Sequence, residues 1–239
     1  MKKLFLFLVI SGLSCGALWA QRTINDANAE KRNVSAFHGI NVGTGIKLIL
    51  TQGNTEDVVV SADKIEFRDK IVTRVEGGIL KIYFENKLGA INTKKEKKEL
   101  KAYVSFKSLD QLDANTGAQV QVEGTMNSST MKMRVNTGAT IEGTINTTDL
   151  EVDQNTGSVV TLSGDAGKIV VHGDTGAMFK GIDLKTDNCN VTASTGAGVY
   201  ITVQKELSVR ANTGGYVKYK GEAGVRDIRT NTGGFVSKI

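Results

Sequence analysis

The sequence predicts an all-β protein: a right-handed parallel β-solenoid of about seven two-strand coils, preceded by an all-β cap. Three observations predict it. A tripeptide recurs as Asn115-Thr116-Gly117, Asn136-Thr137-Gly138, Asn155-Thr156-Gly157, Asp174-Thr175-Gly176, Ser194-Thr195-Gly196, Asn212-Thr213-Gly214 and Asn231-Thr232-Gly233. Its threonines stand 21, 19, 19, 20, 18 and 19 residues apart, a period that signals stacked repeats. Apolar residues alternate with polar ones on both sides of each tripeptide, which marks strands with one buried face. With 27 glycines, no proline and many β-branched residues, the composition favours strands joined by glycine turns.

Taken from the N-terminus, Lys2 and Lys3 lead into the apolar run Leu4-Phe5-Leu6-Phe7-Leu8-Val9-Ile10, with small residues up to Ala20. That pattern is a secretory signal peptide over residues 1–20, with cleavage expected after Ala20. The alternative is lipid anchoring at Cys15 through Gly12-Leu13-Ser14-Cys15, a poor lipobox because Leu13 stands one place too near the cysteine. No run approaches the roughly 20 apolar residues of a spanning helix, so no transmembrane helix is expected. Export leaves 28 basic against 25 acidic side chains, a net charge of +3, which singles out no partner class. Of the two cysteines only Cys189 survives that cleavage, so an internal disulfide is excluded in that form.

Residues 21–32 are expected to be a flexible segment, and residues 33–106 a β-rich cap that covers the first coil. Strand patterns occur at Ile46-Lys47-Leu48-Ile49-Leu50 behind Gly43-Thr44-Gly45, at Val58-Val59-Val60, Ile71-Val72, Ile79 to Phe84 and Tyr103 to Phe106. Gly77-Gly78 predicts a hairpin turn. The run Lys94-Lys95-Glu96-Lys97-Lys98-Glu99-Leu100-Lys101 is expected to be a solvated loop. Export and the lack of interleaved aromatic residues argue against nucleic acid as a partner.

From 107 to 239 the repeats form the solenoid. Three residues before each tripeptide stand Leu112, Met133, Val152, Val171, Val191, Val209 and Ile228. After each tripeptide a second strand carries Val120, Ile141, Val160, Phe179, Val199, Val217 and Val236 inward. Most repeats close at a second glycine, among them Gly124, Gly143, Gly164, Gly181 and Gly221. Such a unit cannot bury its apolar face alone and must stack on its neighbours. The tripeptides then form a turn ladder spaced by about 4.8 Å, with asparagine side chains bonded along the axis and glycines taking backbone angles other residues resist.

The stretches "FHGINVGTGIKLILTQG" from Phe37 to Gly53 and "VEGGILKIYFE" from Val75 to Glu85, with the glycine-turn repeats after Leu109, resemble the head GIN domain family. The resemblance covers essentially the whole mature chain and implies an adhesin-like protein of the bacterial envelope. It carries no catalytic residues with it.

A search for chemistry among the residues points the same way. The chain has two histidines, His38 and His172, and His172 falls on an outward row. One mature cysteine and two distant histidines make no zinc site of ordinary composition, and no cofactor is implied. Gly164-Asp165-Ala166-Gly167-Lys168 lacks the spacing and the hydroxyl of a phosphate loop. The enzymatic alternative is a polysaccharide lyase or hydrolase using Asp113 and Asp153, two coils apart on one row. Arg134 stands between them and Lys132 beside Glu151, which suits an ion-pair ladder better than a general acid. The function expected is therefore non-enzymatic, with envelope polysaccharide or a surface protein as partner. Tyr216, Tyr219 and Phe235 form the candidate contact surface near the last coil, where a second copy or an envelope partner is expected to dock.

Overall fold

The structure, a computed structural model, describes residues 26–85 and 97–239. The leader, Cys15 and the Lys94–Glu96 part of the charge run lie outside the described residues. Strand β1 (Glu30–Arg32), β2 (Gly39–Val42), β3 (Lys47–Gln52) and β4 (Asp57–Ser61) are followed by helix α1 (Ile65–Arg68). Next come β5 (Ile71–Glu76), β6 (Ile79–Phe84), β7 (Lys101–Phe106) and β8 (Gln111–Ala114). The repeats hold β9 (Gln119–Val135), β10 (Thr140–Gln154), β11 (Val159–Gly173), β12 (Met178–Ala193) and β13 (Gly198–Ala211). The last coil comprises β14 (Tyr216–Lys220), β15 (Gly224–Thr230) and β16 (Phe235–Lys238).

Every contact between successive repeats is a parallel ladder. The two strand segments of a repeat run on as one bent strand of 14 to 17 residues from turn to turn in β9 to β13. Two inward rows make the core. Ile40, Leu112, Met133, Val152, Val171, Val191 and Val209 are register partners in turn. So are Leu48, Val120, Ile141, Val160, Phe179, Val199 and Val217 on the opposite wall. All are buried. Each inward side chain contributes roughly 1.5–3 kcal/mol through removal of apolar surface from water, and because the rows align, no repeat keeps an exposed apolar face until the last.

The N-terminal region continues both walls. β2 pairs with β8 and β6, and β3 pairs with β9 and β7, all parallel. The stack then ends on antiparallel strands, β5 on β6, and β4 with β1 beyond β7. Antiparallel closure with short edge strands protects the terminal coil from pairing with foreign strands. Gly77 and Gly78, both at positive φ, form the expected hairpin turn between β5 and β6. Residues 26–32 depart from the flexible segment expected of them. β1 pairs with β4, Asn28 donates to the carbonyls of Ala62 and Asp63 at 3.1 and 2.9 Å, and Asp26 accepts from Tyr103 at 2.7 Å. Residue patterns near the segment carry no sign of this, because the partners lie 26 to 77 residues away.

Candidate functional site

The recurrent tripeptide is a two-residue turn. In the first, Ala118 N donates to Asn115 O at 3.1 Å, with Thr116 at φ 50° and Gly117 at φ 69°. Positive φ at both central residues is the type I′ pattern, whose twist suits sharply reversing strands. All seven turns repeat it, with Thr137, Thr156, Thr175, Thr195, Thr213 and Thr232 between 45° and 53°. An eighth, Gly43-Thr44-Gly45, belongs to the same column, with Thr44 at φ 54° and Gly45 N donating to Thr116 O at 3.0 Å.

The ladder between turns is made by the backbone. The amides of Gly117, Gly138, Gly157, Gly176, Gly196 and Gly214 donate to the carbonyls of Thr137, Thr156, Thr175, Thr195, Thr213 and Thr232 at 2.9 to 3.1 Å. The expected asparagine side-chain ladder is confined to one rung, Asn136 Nδ2 to Asn115 Oδ1 at 3.4 Å. At Asn155 and Asp174 the side-chain oxygen serves its own turn, each Oδ1 accepting from the next threonine amide at 2.7 Å. The reason is proximity, since that amide sits one bond from the side chain's own backbone. A hydrogen bond from Thr195, helped by the Thr175 amide, holds the Asp174 carboxyl below the ordinary carboxylate range.

The outward row that an enzyme would need is neutralised. Asp113, Arg134 and Asp153 are register partners as expected. Arg134 bonds Asp113 at 3.2 Å, and Lys132 bonds Glu151 and reaches Asp153 at 3.6 Å. His172 is exposed next to Asp153 on that row. Among the described residues no group of three or more His, Cys, Asp or Glu side chains could hold a metal ion. Cys189 is buried, and burial pushes its thiol well above the ordinary range, so it is unsuited to act as a nucleophile.

Sequence reasoning missed one pair: His38 Nδ1 and Asp110 Oδ1 lie 2.8 Å apart across 72 residues, on the surface. The candidate aromatic surface needs a correction. Tyr219 is 8% exposed and points inward as the partner of Ile201, because it lies two residues after inward Val217 on the same strand. Phe235 is exposed, and Tyr216 is half-buried. The ring that joins Tyr216 is Tyr200, edge to face at 6.0 Å between centroids. Gly198 makes this possible, since a Cβ there would stand 2.5 Å from the Tyr216 ring. The Tyr216 hydroxyl in turn reaches Met178 Sδ at 3.8 Å.

Beside this pair lies a groove of about 730 Å³ that crosses the coils. Its floor follows the row Gln121, Glu142, Thr161, Lys180 and Tyr200, one residue from each of β9 to β13. Thr144 and Ser163, hydroxyl to hydroxyl at 2.8 Å, form one wall. Ile182 and Asp183 close it at β12. The concavity arises where the ladders lose register between Glu142 and Thr144, Thr161 and Gly164, and Gly181 and Lys185. Such bulges bend a strand and re-aim its side chains.

Fold and surface together define a glycine-turn parallel β-solenoid closed at its N-terminal side by antiparallel strands. Residues 36–223 match the model of the family described as "putative auto-transporter adhesin, head GIN domain", and the chain belongs to that family. A crystal structure from Bacteroides fragilis, described as a "putative adhesin", is similar at TM-score 0.76 and 16% identity, over 88% of this chain and 96% of that one. A "putative adhesin" from Parabacteroides merdae is similar at TM-score 0.68 and 12% identity, over 88% and 95%. A "putative lipid binding protein" from Parabacteroides distasonis is similar at TM-score 0.60 and 17% identity, over 89% and 97%. At these identities the likeness concerns the fold. No curated protein matches the chain.

Proposed function

We propose that this chain is a non-catalytic, exported protein of the bacterial envelope, an adhesin-type module whose solenoid offers its outward face to an envelope polysaccharide or a surface protein. The observation that carries the reading is the division of the outward face. The carboxylates placed for catalysis, Asp113 and Asp153, and the neighbouring Glu151 are engaged by Arg134 and Lys132, while an open groove with an aromatic end crosses five coils. Carboxylates held in ion pairs along the row are turned to their neighbours and not to a substrate. The leader read at residues 1–20 supports export, and the family description supports an adhesive role. Neither calls for a cofactor. In this reading the turn column from Asn115 to Gly233 is structural, and it holds the presenting face straight.

Lipid binding, the description attached to one structural relative, is disfavoured here because exposed Glu142, Lys180 and Asp183 line the groove. The test is a glycan array and a whole-cell adhesion assay with the protein processed after Ala20. Binding without release of sugar fragments is expected. Cleavage of a bound polysaccharide would overturn the reading in favour of a lyase or hydrolase.

A further inference from the structure

We propose that the bulged groove across β9 to β13 is a binding site for a linear, neutral saccharide chain, with Tyr200 as the stacking platform; the proposal rests on the binding function above and assigns it a place. The lining is amphiphilic in the sense a pyranose ring is. Tyr200, Met178 and Ile182 offer apolar surface for the C–H face of a sugar. Gln121, Glu142, Thr161 and Lys180 along the floor, with Asp183 at the end wall, offer donors and acceptors for its hydroxyls. Sites for small polar ligands combine an apolar wall with a few placed polar groups in this way. The charges balance, with Glu142 and Asp183 against Lys180 and with Lys218 over the Tyr200 ring at 5.7 Å from its centroid. A polyanion therefore gains no net attraction.

The geometry selects a polymer. The floor residues are register partners on successive strands, so the same kind of contact recurs at the strand spacing of about 4.8 Å along the axis. That step is close to the length of one residue in an extended β-linked chain. Two details show that the site is built. β12 advances from Gly181 to Lys185 while β13 advances only from Ile201 to Thr202, and the extra residues place Ile182 and Asp183 as an end wall. That bulge is pinned by Thr202, whose hydroxyl donates to Ile182 O at 2.6 Å. Tyr200 is held upright by its edge contact with Tyr216, which itself lies over Gly198. A rigid aromatic ring loses little freedom on binding. A peptide is a poorer occupant, because the groove lies on paired strands whose backbone groups are taken by the ladders.

Affinity electrophoresis of the mature chain in gels containing xylan, mannan, a linear β-glucan or polygalacturonate tests this. At least one neutral polymer should retard the protein. Tyr200→Ala should weaken that retardation about tenfold, Tyr200→Phe should preserve it, and Lys180→Ala, a fully surface change, should weaken it without altering the melting temperature. Undiminished binding by both Tyr200→Ala and Lys180→Ala would place the ligand elsewhere and overturn the groove while leaving the adhesin reading intact. Retardation by polygalacturonate alone, abolished by salt, would equally overturn it. If no polymer retards the protein yet it still adheres to whole cells, the saccharide assignment fails alone; if it does neither, both readings fail.

Discussion

Eight threonines hold a left-handed backbone on this chain, Thr44, Thr116, Thr137, Thr156, Thr175, Thr195, Thr213 and Thr232. For a β-branched residue that conformation is a true outlier. Each turn therefore stores conformational strain, offset by the turn's own closing bond and, from Gly45 through Gly214, by the glycine amide bond to the next coil. Thr137→Asn should raise stability in urea by about 1 kcal/mol, because asparagine tolerates the left-handed region. A loss instead would show that the stacked threonine side chains contribute more than the strain they impose. Gly157→Val is the opposite change. Its φ of 67° is hostile to valine, yet a Cβ would meet nothing within 4 Å, so the cost is purely conformational, about 1–3 kcal/mol. An unchanged melting temperature would contradict the turn geometry.

The residue scale also holds the one pH-sensitive contact of interest. Hydrogen bonding to Asp110, then its charge, raises the His38 pKa above its ordinary value. A group whose pKa is raised on folding contributes stability that is complete below its unfolded value, about pH 6.5, and is lost as pH climbs through the folded value. NMR titration of the ring should therefore give a higher midpoint in the native protein than in Asp110→Asn. Equal midpoints would mean that the bond does not form in solution.

At the scale of the element, each coil is a strand whose outward residues pair with those of the next coil. Arg134 of β9 bonds Asp113 of β8, whose side chain is only 9% exposed. Removing the arginine leaves that carboxylate covered, with Gln111 as its remaining partner at 2.7 Å. Because Arg134 itself is 43% exposed, water softens the penalty, and Arg134→Ala should cost about 1–2 kcal/mol. The double variant Arg134→Ala with Asp113→Asn should recover most of it. Additive losses in denaturant melts would show that the two side chains act independently.

At the scale of the molecule, stacking satisfies every inward row except at the last coil. There Val225, Ile228, Phe235 and Ile239 are 49%, 40%, 54% and 54% exposed. Ile228 continues the Val209 row but has no coil beyond it among the described residues. Apolar side chains beside free strand edges favour pairing with another copy. Light scattering of the chain processed after Ala20 should accordingly show mass rising with concentration, and Phe235→Asp should abolish the rise. Identical monomeric profiles for both proteins would remove the self-association proposal.

Read alone, the sequence carries the solenoid almost entirely, because a solenoid is a local code repeated. The tripeptide sets the turn, alternation of period two assigns each side chain to wall or solvent, and a near-constant period aligns the rows. Leu112, Met133 and Val152, or Val120, Ile141 and Val160, fall into register without further information. Alternation also contained the answer for Tyr219, inward two residues after Val217, although its aromatic character suggested a surface. Other features depend on residues far apart in the chain, and only the folded structure brings them together. The His38–Asp110 bond, the anchoring of residues 26–32 on β4 and β7, and the place of Gly43-Thr44-Gly45 at the head of the turn column are of this kind. The groove belongs with them. Its concavity comes from bulges whose size differs from coil to coil, and a bulge exists only relative to the strand beside it, so no single repeat encodes it.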